Sequence, residues 1–284
     1  MSAGPLLTAP VHAALLAARA KQAGELQCSL DLGRSSTTVG IGAAQWSWRQ
    51  RGYPYLQVCR PHTVYAFGPS GFAALARFDG VLIKLVPTDW GPPSFEIGGI
   101  KMLVSERISP YADAEQKVRL IAPRGKTVLD TCGGLGYFAL WCLRGGARRV
   151  LSFEKSPDVL WLRSQNPWSP GNAPMPATAT ATATSLELVR ADVTVAIAAL
   201  SSASVDAILH DPPRISIAGE LYAQAFYAQL ARVLRPQGRL FHYTGAPQRA
   251  SHGRNLAREV TRRLSRAGFA TTASMDGVLA VRRD

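Results

Sequence analysis

A chain of 284 residues that is 47% apolar and 18% charged has material for one sizeable core and a smaller second one, which excludes a disordered polymer. No apolar run reaches the roughly 18 to 20 residues that cross a bilayer, so a membrane-spanning protein is excluded and a cytoplasmic one expected. The formal charge of +13 comes overwhelmingly from arginine, with six lysines in all, and suits a polyanionic partner; a GC-rich genome raises arginine in the same way, so charge alone does not decide.

The chain opens with "MSAGPLLTAPVHAALLAARAKQAGEL", Ala/Leu-rich but without a basic leader, which predicts an amphipathic helix rather than a secretory signal. From Leu30 to Ser105 short β-like runs such as "QWSWRQRGYPYLQVC", "VLIKLV" and "SFEIGGIKMLVSE" are broken by Gly and Pro. Alternation of Phe95, Ile97 and Ile100 around paired glycines predicts hairpins, and residues 1–105 are expected to form a small mostly-β domain. The four cysteines (Cys28, Cys59, Cys132, Cys142) show no CxxC spacing, so no metal site is expected.

After Pro110 apolar strands alternate with helical stretches, the pattern of a parallel sheet covered on both faces. The expected strands are 127–131, 149–154, 186–191, 205–210 and 238–244, followed by "FATTAS" and "VLAVRR" joined through Met275, Asp276 and Gly277 as a hairpin. Five parallel strands and a hairpin make residues 106–284 an α/β domain with a Rossmann-like sheet. The run "PMPATATATATS" has nothing bulky to bury and is expected to be a surface insertion.

In "VLDTCGGLGYFALW" a strand ends at Asp130 and Gly133, Gly134 and Gly136 lead into a helix, an arrangement that lets backbone approach a ligand and aims the helix N-terminus at it; Cys132 narrows the loop. Glycines that merely pack helix on sheet give the same pattern. The second strand ends in Glu154, twenty-four residues after Asp130, where an acid accepts from ribose hydroxyls, with Lys155 beside it. Asp192 follows the third strand and can reach an adenine edge. These groups stand at successive strand ends, where open α/β sheets bind ligands.

"ILHDPPR" ends the fourth strand in His210 and Asp211, and two prolines then hold the chain rigid. The Asp211 carboxylate and the Pro212 carbonyl form a pair of acceptors suited to a planar NH2 group. His210, and His242 ahead of Tyr243, can equally satisfy buried hydrogen bonds. No Ser-His-Asp arrangement suggests hydrolysis.

Together "VLDTCGGLG", "SFEKSP", "RAD", "HDPPR" and the closing hairpin resemble the class I S-adenosylmethionine-dependent methyltransferases. "DTCGGLGY", "NPWS", "HDPPRISIAGELY" and "GRLFHYTG" resemble, more narrowly, a family of predicted archaeal methyltransferases with an appended N-terminal domain; the likeness runs from about Phe95 onward. The resemblance implies a seven-stranded sheet and S-adenosyl-L-methionine as cofactor, with Asp130, Cys132, Gly133, Gly134, Gly136, Glu154, Lys155, Asp192 and His210 on the cofactor side. Asp211, Pro212, Pro213 and Arg214 resemble the Asp/Asn-Pro-Pro-aromatic motif of amino-group methyltransferases acting on nucleobases or glutamine amides, with Arg214 in place of the aromatic. Tyr222, Phe226 or Tyr227 can then supply the missing ring or simply pack in the core, and Tyr222 and Tyr243 are expected on the substrate side. The expected substrate is RNA, with cytidine N4 of ribosomal RNA leading. Methyl or aminopropyl transfer to a small-molecule or protein amine, and a non-catalytic RNA-binding module with a vestigial fold, stay open beside it.

Arg254, Arg258, Arg262 and Arg266 recur every four residues near the C-terminus, opposite Leu256, Val260 and Leu264. Such a row can follow a phosphate backbone or be an ordinary solvated face.

Overall fold

The computed structural model describes residues 4–171, 185–245 and 256–284. The Ala/Thr insertion up to Thr184, and Arg254, lie outside them. The chain divides into two compact units, Met1–Asp113 with Trp161–Ala173, and Ala114–Leu160 with Pro174–Asp284.

The first unit carries a helix, Ala9–Ala20, and small antiparallel sheets. One has the order Glu25–Cys28, Thr37–Ile41, Gln45–Trp48, Arg51–Pro54, and its Trp46 is fully buried, stacked on Tyr53 at 4.7 Å. The expected hairpin at the paired glycines is present: Ser94–Ile97 pairs with Ile100–Lys101 through Gly98 and Gly99, both at positive φ, which glycine adopts without steric cost. "NPWS" is a structural turn within this unit, with Trp168 donating to the Leu32 carbonyl at 3.0 Å and Asn166 to Ser169 at 2.9 Å.

The second unit is built on seven strands: β1 (Thr127–Asp130), β2 (Arg149–Phe153), β3 (Ser185–Val189), β4 (Val205–His210), β5 (Leu234–Tyr243), β6 (Phe269–Ser274) and β7 (Gly277–Arg282). Their order is β3-β2-β1-β4-β5-β7-β6; the first five run parallel and β7 is antiparallel to both neighbours. Leu129, Ile208 and Leu240 are fully buried at the centre, as strands covered on both faces require. The helices are α1 (Pro110–Ile121), α2 (Tyr137–Arg144), α3 (Pro157–Gln165), α4 (Val193–Ala196), α5 (Gln224–Val233) and α6 (Leu256–Arg266). Two strands differ from expectation. β3 stops at Val189 because the Ala191 amide turns back onto the Val189 carbonyl at 3.1 Å. β5 starts early, Leu234 standing opposite Val205 before an irregularity over Pro236 brings Arg239 opposite Ala207. Gly277 begins β7 where a Cβ would lie 2.3 Å from the His242 carbonyl oxygen, so only glycine lets β7 approach β5 there.

The strand order reverses between β1 and β4. Chains leaving their C-terminal ends depart in opposite directions and open a crevice between them.

Candidate active site

Asp130 closes β1 with a buried carboxylate that accepts from Ser152 Oγ at 2.8 Å, pinning β1 to β2. The chain then turns sharply into α2. The Gly133 amide donates to the Phe153 carbonyl and the Gly136 amide to the Gly133 carbonyl, each at 2.7 Å. Gly134 and Gly136 sit at φ 47° and 84°, conformations that cost a residue with a Cβ free energy. Glu154 holds this loop from the next strand: Oε2 accepts from the Gly134 amide at 3.1 Å and Oε1 from the Ser156 amide at 2.9 Å.

Thr131, Cys132, Phe153, Glu154, Lys155, Ala191, Asp192, Val193, Pro213, Ala218 and Leu221 line a narrow crevice beside the glycine loop. Apolar Phe153, Ala191, Val193 and Leu221 with acids at one edge suit a flat heterocycle joined to a polyhydroxyl ring. Lys155 stands at the mouth, 3.5 Å from Asp192 and 3.3 Å from Glu220. Burial works against its charge, but those carboxylates hold Lys155 above its ordinary value. Asp192 also caps α4, accepting from the Thr194 amide at 2.9 Å; against burial, which would raise it, the Thr194 bonds and Lys155 keep its carboxyl below the usual range. Burial, reinforced by Glu154, Asp130 and Asp211, pushes the Cys132 thiol well up, so it is neutral. A larger hollow lies at the opposite, N-terminal ends of the central strands, among Lys126, Arg148, Asp206 and Arg235, away from the glycine loop.

Beyond β4, Asp211 meets a residue that its own motif does not contain. Lys117, on α1, is 1% exposed and places Nζ 3.4 Å from Asp211 Oδ2, above the Tyr243 ring at 3.9 Å and 5.7 Å from the Phe138 ring. Tyr222 donates its hydroxyl to the Pro213 carbonyl at 3.0 Å, fixing the Pro-Pro turn. Arg214 is exposed, and its carbonyl closes a turn by accepting from the Ile217 and Ala218 amides.

Both strand-end histidines are fully buried and neutral. His210 shares Nδ1 with Thr131 Oγ1 at 2.7 Å and donates Nε2–H to the Leu221 carbonyl at 3.1 Å; burial and neighbouring His242 hold its pKa well below the ordinary value. His242 donates Nδ1–H to the Tyr243 carbonyl at 2.8 Å and accepts from Tyr227 at 2.9 Å, and burial pushes it down to about 4. A carbonyl can only accept, so each tautomer is set.

The structure thus brings together Asp130, Cys132, Gly133, Gly134, Gly136, Glu154, Lys155 and Asp192 around or beneath the crevice, with Asp211, Pro212 and Pro213 adjoining. Two expected roles are corrected. His210 does not line the crevice but supports it from the core, because both ring nitrogens are taken by protein groups. Tyr222 is buried and tethers Pro213, so its ring is no stacking platform. Tyr243 is half-buried with Lys117 on its ring. Arg258 and Arg262 lie exposed on α6, opposite buried Val260 and Leu264, and Arg262 pairs with Glu259 at 2.6 Å. Lys117 escaped the motif reading, yet it interrupts a buried stripe of Ala114, Val118 and Ile121 at helical spacing.

A family model described as S-adenosyl-L-methionine-dependent methyltransferase matches residues 170–277. An uncharacterised protein of Methanocaldococcus jannaschii, MJ1233, is 38% identical over 199 residues, which are 70% of this chain and 65% of that protein; the chain therefore spans just under two thirds of the relative's length. Among solved structures, a spermidine synthase in complex with the transition-state analogue AdoDATO aligns at a TM-score of 0.55 and 17% identity, over 73% of this chain and 72% of that one. MnmC2 from Aquifex aeolicus aligns at 0.51 and 18%, over 72% and 71%. At such identities the structural likeness is one of fold.

Proposed function

We propose that the chain is an S-adenosylmethionine-dependent methyltransferase, the description of the family model that matches residues 170–277, and that it methylates an exocyclic amine of a nucleobase in RNA, with cytidine N4 of ribosomal RNA as the leading substrate. The observation that carries this reading is the Asp211 carboxylate at the end of β4, close enough to the glycine-loop Cys132 to raise its thiol, with the following Pro-Pro turn tied through Pro213 by Tyr222.

S-adenosylmethionine supplies a methyl group already activated on a sulfonium, so the protein has only to bind, orient and exclude. The glycine loop with Glu154 and Asp192 forms the cofactor half. Phe153, Ala191, Val193 and Leu221 offer apolar walls for its adenine. An exocyclic amine is a weak nucleophile, because its lone pair is delocalised into the ring. Hydrogen bonds from its two N–H groups to Asp211 and Pro212 turn the amine towards the donor and favour the pyramidal form. A base paired in a duplex cannot reach this position, so an unstacked nucleotide is required.

RNA as partner is supported by the net charge of +13, the exposed row Arg258, Arg262 and Arg266, and the cationic hollow at Lys126, Arg148 and Arg235. We assign substrate recognition to the first unit, where Arg49 lies over Trp48 at 4.2 Å and Arg77 over Trp161 at 4.1 Å, the arginine and aromatic pairing that unstacked bases engage.

Incubation with methyl-labelled S-adenosylmethionine and ribosomal RNA, followed by digestion to nucleosides, tests the proposal. Label is expected in N4-methylated cytidine. Label in adenosine would move the base but keep the amine class; label confined to protein or small amines would overturn RNA as substrate. Heat-stabilisation by the cofactor without transfer would mark a vestigial site.

A further inference from the structure

We infer that the hollow at the N-terminal ends of the central strands is a phosphate site for the RNA backbone, gripping the substrate at the pole of the sheet opposite the crevice. This deepens the reading of RNA as substrate and rests on it.

The hollow exists because one strand pairing breaks. Leu234 stands opposite Val205 and Arg239 opposite Ala207, so residues 235–238 loop out against the single residue Asp206. An irregularity of this kind gives up regular ladder bonds and re-aims the side chains it carries. Here it brings Arg235 Nη1 to 2.6 Å from Asp206 Oδ1 and opens a space of about 300 Å³ between the loop, Lys126 and Arg148.

Positive charge is in excess there. Lys126, Arg148 and Arg235 line the hollow, and Arg239 lies close enough to Lys126 to act on its charge. Asp206 is the one carboxylate among the lining residues; Asp284 stands outside them, accepting from Gln237 at 3.0 Å. The cations are held in place by groups without net charge. Lys126 donates to the Ile121 carbonyl at 2.8 Å, Arg239 to the Leu120 carbonyl at 3.2 Å, Arg235 to the Ala203 carbonyl at 3.1 Å and Arg148 to the Thr127 hydroxyl at 3.1 Å. Leu120 and Ile121 end α1, and capping a helix C-terminus is an ordinary use of such cations. The half charge of a helix end and one carboxylate do not balance four cations. Burial, and then Arg239, press Lys126 below its ordinary value against the pull of Asp206, as expected of a cluster short of an anion.

The Arg148 side chain is 61% exposed, and its Nε and Nη1 have no partner among the described residues. A planar fork with free N–H groups matches phosphate oxygens. A lone phosphate gains little from half-exposed arginines, whereas a polyanion already held at the crevice adds each such contact to one binding event. Asp206 and Asp211 are five residues apart, roughly 17 Å of extended chain, so the phosphates gripped here belong to flanking nucleotides and not to the methylated one.

The test follows binding of a labelled single-stranded RNA of about 20 nucleotides to the full-length protein, by anisotropy, from about 0.1 to 1 M salt. Arg148→Gln with Arg235→Gln removes two contacts. The slope of log affinity against log salt should fall by about 1.4 and affinity near 0.1 M by roughly 25-fold, the two proteins converging near 1 M. Arg60→Gln with Lys101→Gln removes as much charge at exposed positions of the first unit and should change affinity less than about threefold. An equal loss in that control, or an unchanged slope in the Arg148 and Arg235 variant, overturns the site while leaving RNA as substrate. If the double variant does not fold, Arg148→Gln alone is read, with about half the slope change. Millimolar inorganic phosphate at constant ionic strength should shift RNA affinity less than about twofold; displacement of RNA by it in wild type but not in the variant would make the hollow a small-anion site and overturn RNA as its occupant. Absence of salt-dependent RNA binding by wild type overturns the parent reading, and this inference with it.

Discussion

Glu154, Lys155 and Asp192 meet water at the mouth of the crevice, whereas Lys117, His210 and His242 are closed off from it. At the crevice mouth the polar groups are screened by water, and two of them keep one foot on backbone: Glu154 on the glycine loop, Asp192 on the start of α4. Behind it, both ring nitrogens of His210 and of His242 are bonded within the fold and Lys117 faces Asp211. Binding a ligand that carries its own hydrogen-bonding edges needs the first arrangement. Holding a weak nucleophile in one orientation needs the second, because buried polar groups with fixed partners do not relax.

The largest effect should come from Asp211→Ala. Turnover is expected to fall about 1000-fold with cofactor affinity within about threefold, and the stranded Lys117 ammonium should cost about 3 kcal/mol of stability in urea unfolding. Adding Lys117→Met should recover stability and leave turnover lost; recovery of turnover would dissolve the distinction between the two sides.

The buried histidines give the acceptor side a pH signature. Burial holds His242 at about 4, below its ordinary value near 6.5. Between those pH values the unfolded chain binds the additional proton, so its contribution is fully present above pH 6.5 and is lost as pH falls towards 4, by at most about 3 kcal/mol. Urea midpoints measured across that range should decline, and His242→Leu should flatten the decline. A flat wild-type profile would contradict the proposed closure from water.

Glu154→Ala should weaken S-adenosylmethionine binding about 30-fold, close to 2 kcal/mol for hydrogen bonds to a charged group, while saturating turnover changes less. Lys155→Ala should be the mildest, within about threefold in affinity and smaller still at high salt, since its ion pairs are exposed. An effect as large as that of Glu154→Ala would mean that Lys155 touches the ligand itself.

The same contrast governs what could be read from the chain before folding. The cofactor side is written in local grammar: glycines after a strand, an acid at the next strand end, a further acid capping the next helix. The two prolines after Asp211 also announce themselves. Lys117 does not, because its partner lies 94 residues away and "ADAEQKVRLI" has the composition of a solvated helix. Only its place in the stripe of Ala114, Val118 and Ile121 marks it. Tyr222 misled for the related reason that a ring near a motif looks like a platform until its hydroxyl is seen to hold Pro213.

The central claim is that the acceptor bound to Asp211 faces the transferable methyl. A crystal structure with S-adenosylhomocysteine tests it most directly. The account predicts the ligand's sulfur roughly 7 Å from the Asp211 carboxylate, one S–C bond plus one near-attack distance plus one hydrogen bond, bent at the acceptor nitrogen. Sulfur directed away from Asp211, or ligand bound outside the glycine-lined crevice, would contradict it.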